Sequence, residues 1–105
     1  MTDYILRLIQ AIKRLYGCKA THVETVPVVE EFQGKVIWQG EVEVFDVRHR
    51  QAKRAYAWAH AVSKDDSGKK IVAVLEVPPV TSPQTAVKAA IMSEIKNARQ
   101  KTKGR

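Results

Sequence analysis

Residues 55–62 read Ala-Tyr-Ala-Trp-Ala-His-Ala-Val, with small and large side chains in strict alternation. An extended strand is the backbone that uses such a period, because successive side chains on it point to opposite faces. One face carries Tyr56, Trp58, His60 and Val62; the other carries alanines alone. What covers the bulky side and what covers the smooth side decides the architecture.

The flanking sequence supplies the rest of a sheet and two helices. Ile5, Leu8, Ile9, Ile12, Leu15 and Tyr16 recur at helical spacing, which predicts a helix over 3–16 with Thr2 or Asp3 as its cap and Gly17 as its stop. A first strand is expected within 22–31, and Pro27 assigns it to a sheet edge because proline cannot donate to a ladder. Phe32-Gln33-Gly34-Lys35 reads as a turn, followed by a second strand over about 36–46. Val36, Trp38, Val42 and Val44 share one face of it, and Gln39, Glu41 and Glu43 the other. Ile37 and Phe45 break that alternation and imply a bulge or a second covered patch. The alanine strand covers 54–63, and 63–69 is a hairpin loop. A fourth strand runs 70–77 up to Pro78-Pro79. Ser82 and Pro83 open a last helix with Val87, Ala90, Ile91, Ile95 and Ala98 as its buried stripe, fading near Arg99. The expected fold is therefore α+β, a two-layer α-β-β-β-β-α arrangement in which an antiparallel meander carries both helices on one face. It forms one domain over 1–99 with a disordered basic tail over 100–105.

The chain has 105 residues and a single cysteine, Cys18, so an intrachain disulfide and a secreted disulfide scaffold are excluded. Asp3 and Arg7 interrupt the N-terminal segment where a secretion signal would need basic and apolar residues. No apolar run reaches bilayer length, and a reducing cytoplasm is the expected location. The formal charge is +7 and unevenly distributed. Residues 96–105 hold Lys96, Arg99, Lys101, Lys103 and Arg105 with no acid, so of the 18 bases the other 13 face 11 acids. Arg48, Arg50, Lys53 and Arg54 form a second basic cluster, whereas residues 22–46 are acidic.

Two readings of the central strand follow. In the first, Tyr56, Trp58 and Val62 enter the core beside Val42, Val44 and Leu75, since burying Trp58 removes ~150–250 Å² from water. Ala57, Ala59 and Ala61 with Val72 and Val74 would then form a smooth outer face that invites a second copy, giving a homodimer through the sheet. In the second, the alanines admit the helices and Tyr56, Trp58 and His60 stand on an open sheet as a stacking platform for nucleic acid. Arg48, Arg50, Lys53 and Arg54, aided by Arg99, Lys101 and Lys103 of the tail, would hold its phosphates.

Cys18, His22, His49 and His60 have no metal-site spacing, so no metal or cofactor is expected. A buried His60 would need a partner such as a glutamate of the second strand. Cys18 follows a helix rather than preceding one, Gly68-Lys69-Lys70 lacks a phosphate-loop lead, and Glu30, Glu31, Glu41 and Glu43 read as solvating carboxylates. No nucleophile–base–oxyanion set can be assembled, and the expectation is a non-enzymatic interaction module, homodimeric through its sheet, with nucleic-acid binding as the alternative.

The segments Trp38-Gln39-Gly40-Glu41-Val42-Glu43-Val44-Phe45, Tyr56-Ala57-Trp58 and Pro78-Pro79-Val80-Thr81-Ser82-Pro83 resemble a group of short bacterial proteins without an assigned function, over about residues 22–95. That resemblance implies no site or substrate. The order of elements is similar to that of the double-stranded RNA-binding domain, whose last helix opens with lysines. Ser82-Pro83-Gln84-Thr85-Ala86-Val87-Lys88 carries one lysine, so no binding residue is transferred.

Overall fold

A helix, four strands and a second helix follow one another along the chain in the computed structural model, which describes the backbone of residues 3–61 and 69–103 and the side chains of 3–59 and 71–93. The elements are α1 (Asp3–Tyr16), β1 (Ala20–Phe32), β2 (Lys35–Val47), β3 (Arg54–Ala61), β4 (Lys69–Leu75) and α2 (Pro83–Lys103). The strands form one antiparallel sheet in the order β1-β2-β3-β4, so the chain is an α+β meander, with Pro27 on an edge strand.

The helices do not share a face. β3 pairs Ala55 with Phe45 and Leu75, Ala57 with Glu43 and Ala73, and Tyr56 with Val44 and Val74. Cross-strand partners point to the same side, so the sheet has an alanine face and an aromatic face. Ile5, Leu8 and Ile12 of α1 pack on the first, against Phe45, Val47, Ala55, Ala57 and Ala73. Ala86 and Val87 of α2, with Val80, pack on the second, against Val28, Val42, Val44, Tyr56 and Trp58. The expected two-layer arrangement is corrected to three layers. Alanines let α1 approach closely, while the bulky face still holds enough apolar surface to need a helix of its own. Leu75, expected beside Trp58, packs with the α1 cluster, as its pairing with Ala55 requires.

Local signals set the element ends. Gly17 takes φ +71° and donates its N–H to Lys13 O at 2.8 Å, closing α1 in the left-handed stop that glycine provides. Gln33 and Gly34 both have positive φ, +53° and +80°, so β1 and β2 join through a two-residue turn and Phe32 belongs to β1. At α2, the Ser82 N–H donates to Thr85 Oγ1 and the Thr85 N–H donates to Ser82 Oγ, a reciprocal cap ahead of Pro83. α2 continues past Arg99 to Lys103, so residues 100–103 are helical rather than the expected disordered tail. β4 ends at Leu75, two residues short of expectation; β3 is described as far as Ala61, and Val62 and residues 63–68 lie outside the described residues.

Candidate docking surface at the hairpin end

β2 pairs with β1 over their whole length, but with β3 only from Glu43–Ala57 to Asp46–Arg54. From Val42 to Lys35 the β1–β2 hairpin therefore extends beyond β3 as a two-stranded ribbon. Such a ribbon is marginal in water unless another element covers a face. α2 supplies that cover. The Gln84 side-chain amide donates to Val29 O at 2.9 Å and to the Glu30 carboxylate, and Lys88 Nζ lies 3.8 Å from Glu30 Oε2. Glu30, expected as a solvating carboxylate, is buried and tied to α2 by these contacts.

A bulge then shapes the end of the ribbon. Glu30 pairs with Trp38 and Glu31 with Val36, leaving Ile37 as an extra residue in β2. An inserted residue re-aims its neighbours. Val36 is turned off the face it was expected to share with Trp38, and Ile37 faces α2 together with Phe32. Phe32, Ile37, Ile91 and Met92 enclose a half-open cavity of about 520 Å³, with Glu30, Glu31 and Lys88 at its edge. Phe32 and Met92 remain 61% and 62% exposed, and Val36 and Ile37 are about half exposed, so apolar side chains gather on this end of the molecule. Trp38, next along β2, packs with the core cluster around Trp58. Its indole lies over Gly40, where a Cβ would come within 2.9 Å of the ring, and meets Trp58 edge-on at 6.1 Å.

The alanine face carries a polar cluster of its own. Glu43 is 4% exposed and accepts hydrogen bonds from His22 Nε2 at 2.7 Å and Thr25 Oγ1. Glu43, a glutamate of β2, thus serves His22, which the β1–β2 register places two residue pairs away. The His60 side chain lies outside the described residues. Nearby, the Ala59 N–H donates to the Tyr4 hydroxyl at 3.1 Å, which ties α1 to β3 where β2 has left it. Burial raises the Tyr4 phenol above its ordinary pKa, Glu43 and Glu41 add to the rise, and the Ala59 hydrogen bond opposes it.

The residues expected to bind nucleic acid through an open sheet are separated. Trp58 and Tyr56 are 0% and 3% exposed beneath α2, so they form no stacking platform. Arg48, Arg50 and Lys53 are exposed on the β2–β3 turn, and Arg54 Nε pairs with Asp46 at 3.3 Å. Arg99, Lys101 and Lys103 lie on α2, with side chains outside the described set. The five residues expected at a dimer interface divide between the two faces. Ala57 is buried under α1, with Ala59 and Ala61 following it at alternate positions along that face, whereas Val72 and Val74 pair with Trp58 and Tyr56 on the other. The five therefore do not form one continuous surface. Ile37 was visible in the sequence as a break in alternation; Phe32 and Met92 carried no signal, because only the tertiary fold brings the turn to α2.

Among the described residues no cluster of three His, Cys, Asp or Glu side chains could hold a metal, and no helix is long and apolar enough to cross a membrane. The chain matches no family model, no curated protein and no solved structure.

Proposed function

We propose that the protein is a small non-enzymatic interaction module of the reducing cytoplasm that pairs with a second copy of itself through the hairpin-end groove. The observation that carries this reading is the grouping of exposed Phe32, Ile37 and Met92 around one apolar hollow, while a helix packs on each face of the sheet. Large apolar side chains collected around one hollow mark an association surface. Two features favour a second copy as the occupant. Projecting side chains and the hollow that would receive them belong to the same patch, as a two-fold contact requires. The rim also carries both signs, Glu31 and Lys35 on the turn and Lys88 on α2, so an inverted copy can set carboxylate against ammonium.

Sedimentation velocity over a wide concentration range tests this. Wild type is expected to dimerise, and Ile37→Asp, at a half-exposed position, to shift the equilibrium to monomer with an unchanged circular dichroism spectrum. A wild type that stays monomeric at high concentration, or a dimer that Ile37→Asp leaves intact, overturns the proposal.

A further inference from the structure

The end of the sheet remote from the groove is cationic, and its charges come from two distant parts of the sequence. β1 begins at Ala20 opposite Val47, so the link from α1 to β1 lies beside the turn from β2 to β3. Tyr16 and His49 confirm the proximity, their rings meeting edge-on at 6.3 Å. Residues 13–20 contribute Lys13, Arg14 and Lys19; residues 47–53 contribute Arg48, Arg50 and Lys53. All six side chains are exposed, and neither segment contains an acid. Asp46, the acid adjoining the turn, is held by Arg54, and Glu76, whose N–H donates to Arg54 O, accepts a hydrogen bond from the Tyr56 hydroxyl. Glu24 is exposed two residues along β1 from His22, on the aromatic face.

We infer that this pole binds the phosphodiester backbone of nucleic acid without sequence preference. Lys13 and Arg14 complement the negative end of the α1 dipole, but that role leaves Lys19, Arg48, Arg50 and Lys53 unexplained. Six like charges with no acid between them repel one another and raise the local potential, a condition that a polyanion relieves. Three of the six are arginines, whose planar forks meet phosphate oxygens in pairs. A lipid surface fits less well. Insertion needs a free apolar face, and α1 has placed Leu8 and Ile12 against the sheet, leaving Leu15 as the exposed apolar residue of its last turn. The six cations sit on the last turn of α1 and on two links rather than along one face of a strand or helix, so the contacts expected are to phosphate and sugar. The aromatic sheet face has no part in this mode.

Fluorescence anisotropy with a labelled mixed-sequence DNA duplex, the matching RNA duplex and a single strand tests the inference. Binding should weaken with salt at a slope of about −0.9 per phosphate contacted on B-DNA, so about four contacts lose on the order of a hundredfold between 50 and 200 mM. Arg48→Glu with Arg50→Glu should lower affinity at least tenfold and leave the circular dichroism spectrum and the sedimentation behaviour unchanged. Lys101→Glu with Lys103→Glu, on α2, should have a smaller effect. No binding to any of the three at low salt overturns the inference, as does binding that the α2 pair abolishes and the turn pair leaves intact. Sedimentation with phosphatidylserine vesicles but not with the oligonucleotides would assign the pole to a membrane surface instead.

Discussion

At the scale of single residues, the chain buries polar groups where its strands need cross-links. The Tyr56 hydroxyl donates to Glu76 Oε2, and Tyr16 donates to Ala73 O at 2.7 Å. Burial is the first cause that raises all three phenols, Tyr4, Tyr16 and Tyr56, above their ordinary pKa. The Glu76 carboxylate adds strongly to the rise at Tyr56. A raised pKa means that the folded chain holds its phenolic protons to higher pH than the unfolded chain does. The associated stability is complete below the unfolded value of about 10 and is lost as pH rises through the folded values. Alkaline titration followed by tyrosinate absorbance should therefore show ionisation delayed relative to free tyrosine and coincident with unfolding. Tyr56→Phe should flatten the stability–pH curve above about pH 10; an ordinary titration in the native state would contradict the burial described. His22 and Glu43 belong to the same class of cross-link, joining β1 to β2 under α1. They escaped the sequence reading because His22 carries no local motif, and its partner is defined by strand register.

At the scale of elements, the sequence was most legible where a local physical rule acts alone. α1, its Gly17 stop, the Ser82-Pro83 opening of α2 and the edge placement of β1 all follow from periodicity, capping and the missing proline N–H. The end of β4 followed less closely, because strand pairing rather than composition terminates it at Leu75. The Phe32–Lys35 turn is instructive. Glycine supplies positive φ at Gly34 without cost, but Gln33 also sits at φ +53°. A non-glycine residue there carries roughly 1 kcal/mol of steric strain, less for asparagine, whose side chain tolerates the left-handed region. Gln33→Asn should raise stability by ~0.5–1 kcal/mol in urea denaturation with an unchanged slope. A loss of stability would show that the tight two-residue turn is misassigned.

At the scale of the whole molecule, the alternation at 55–61 defines two faces, but it does not say which helix takes which. Both the bulky and the smooth side bury apolar area, and the choice depends on the lengths of the connections and on the register of β2 and β4. The resolution is a helix on each side, with Trp58 fully buried and its Nε1 without a hydrogen-bond partner among the described residues. That closure is the reason we propose association at the hairpin end and polyanion binding at the opposite pole rather than on a sheet face. Trp58 is also the natural probe of it. Trp38→Phe leaves Trp58 as the sole tryptophan of the chain. Iodide and acrylamide quenching of that variant should find its emission blue-shifted and barely accessible in dilute and concentrated samples alike; ready quenching of Trp58 in the dilute folded protein would mean that the aromatic face is open.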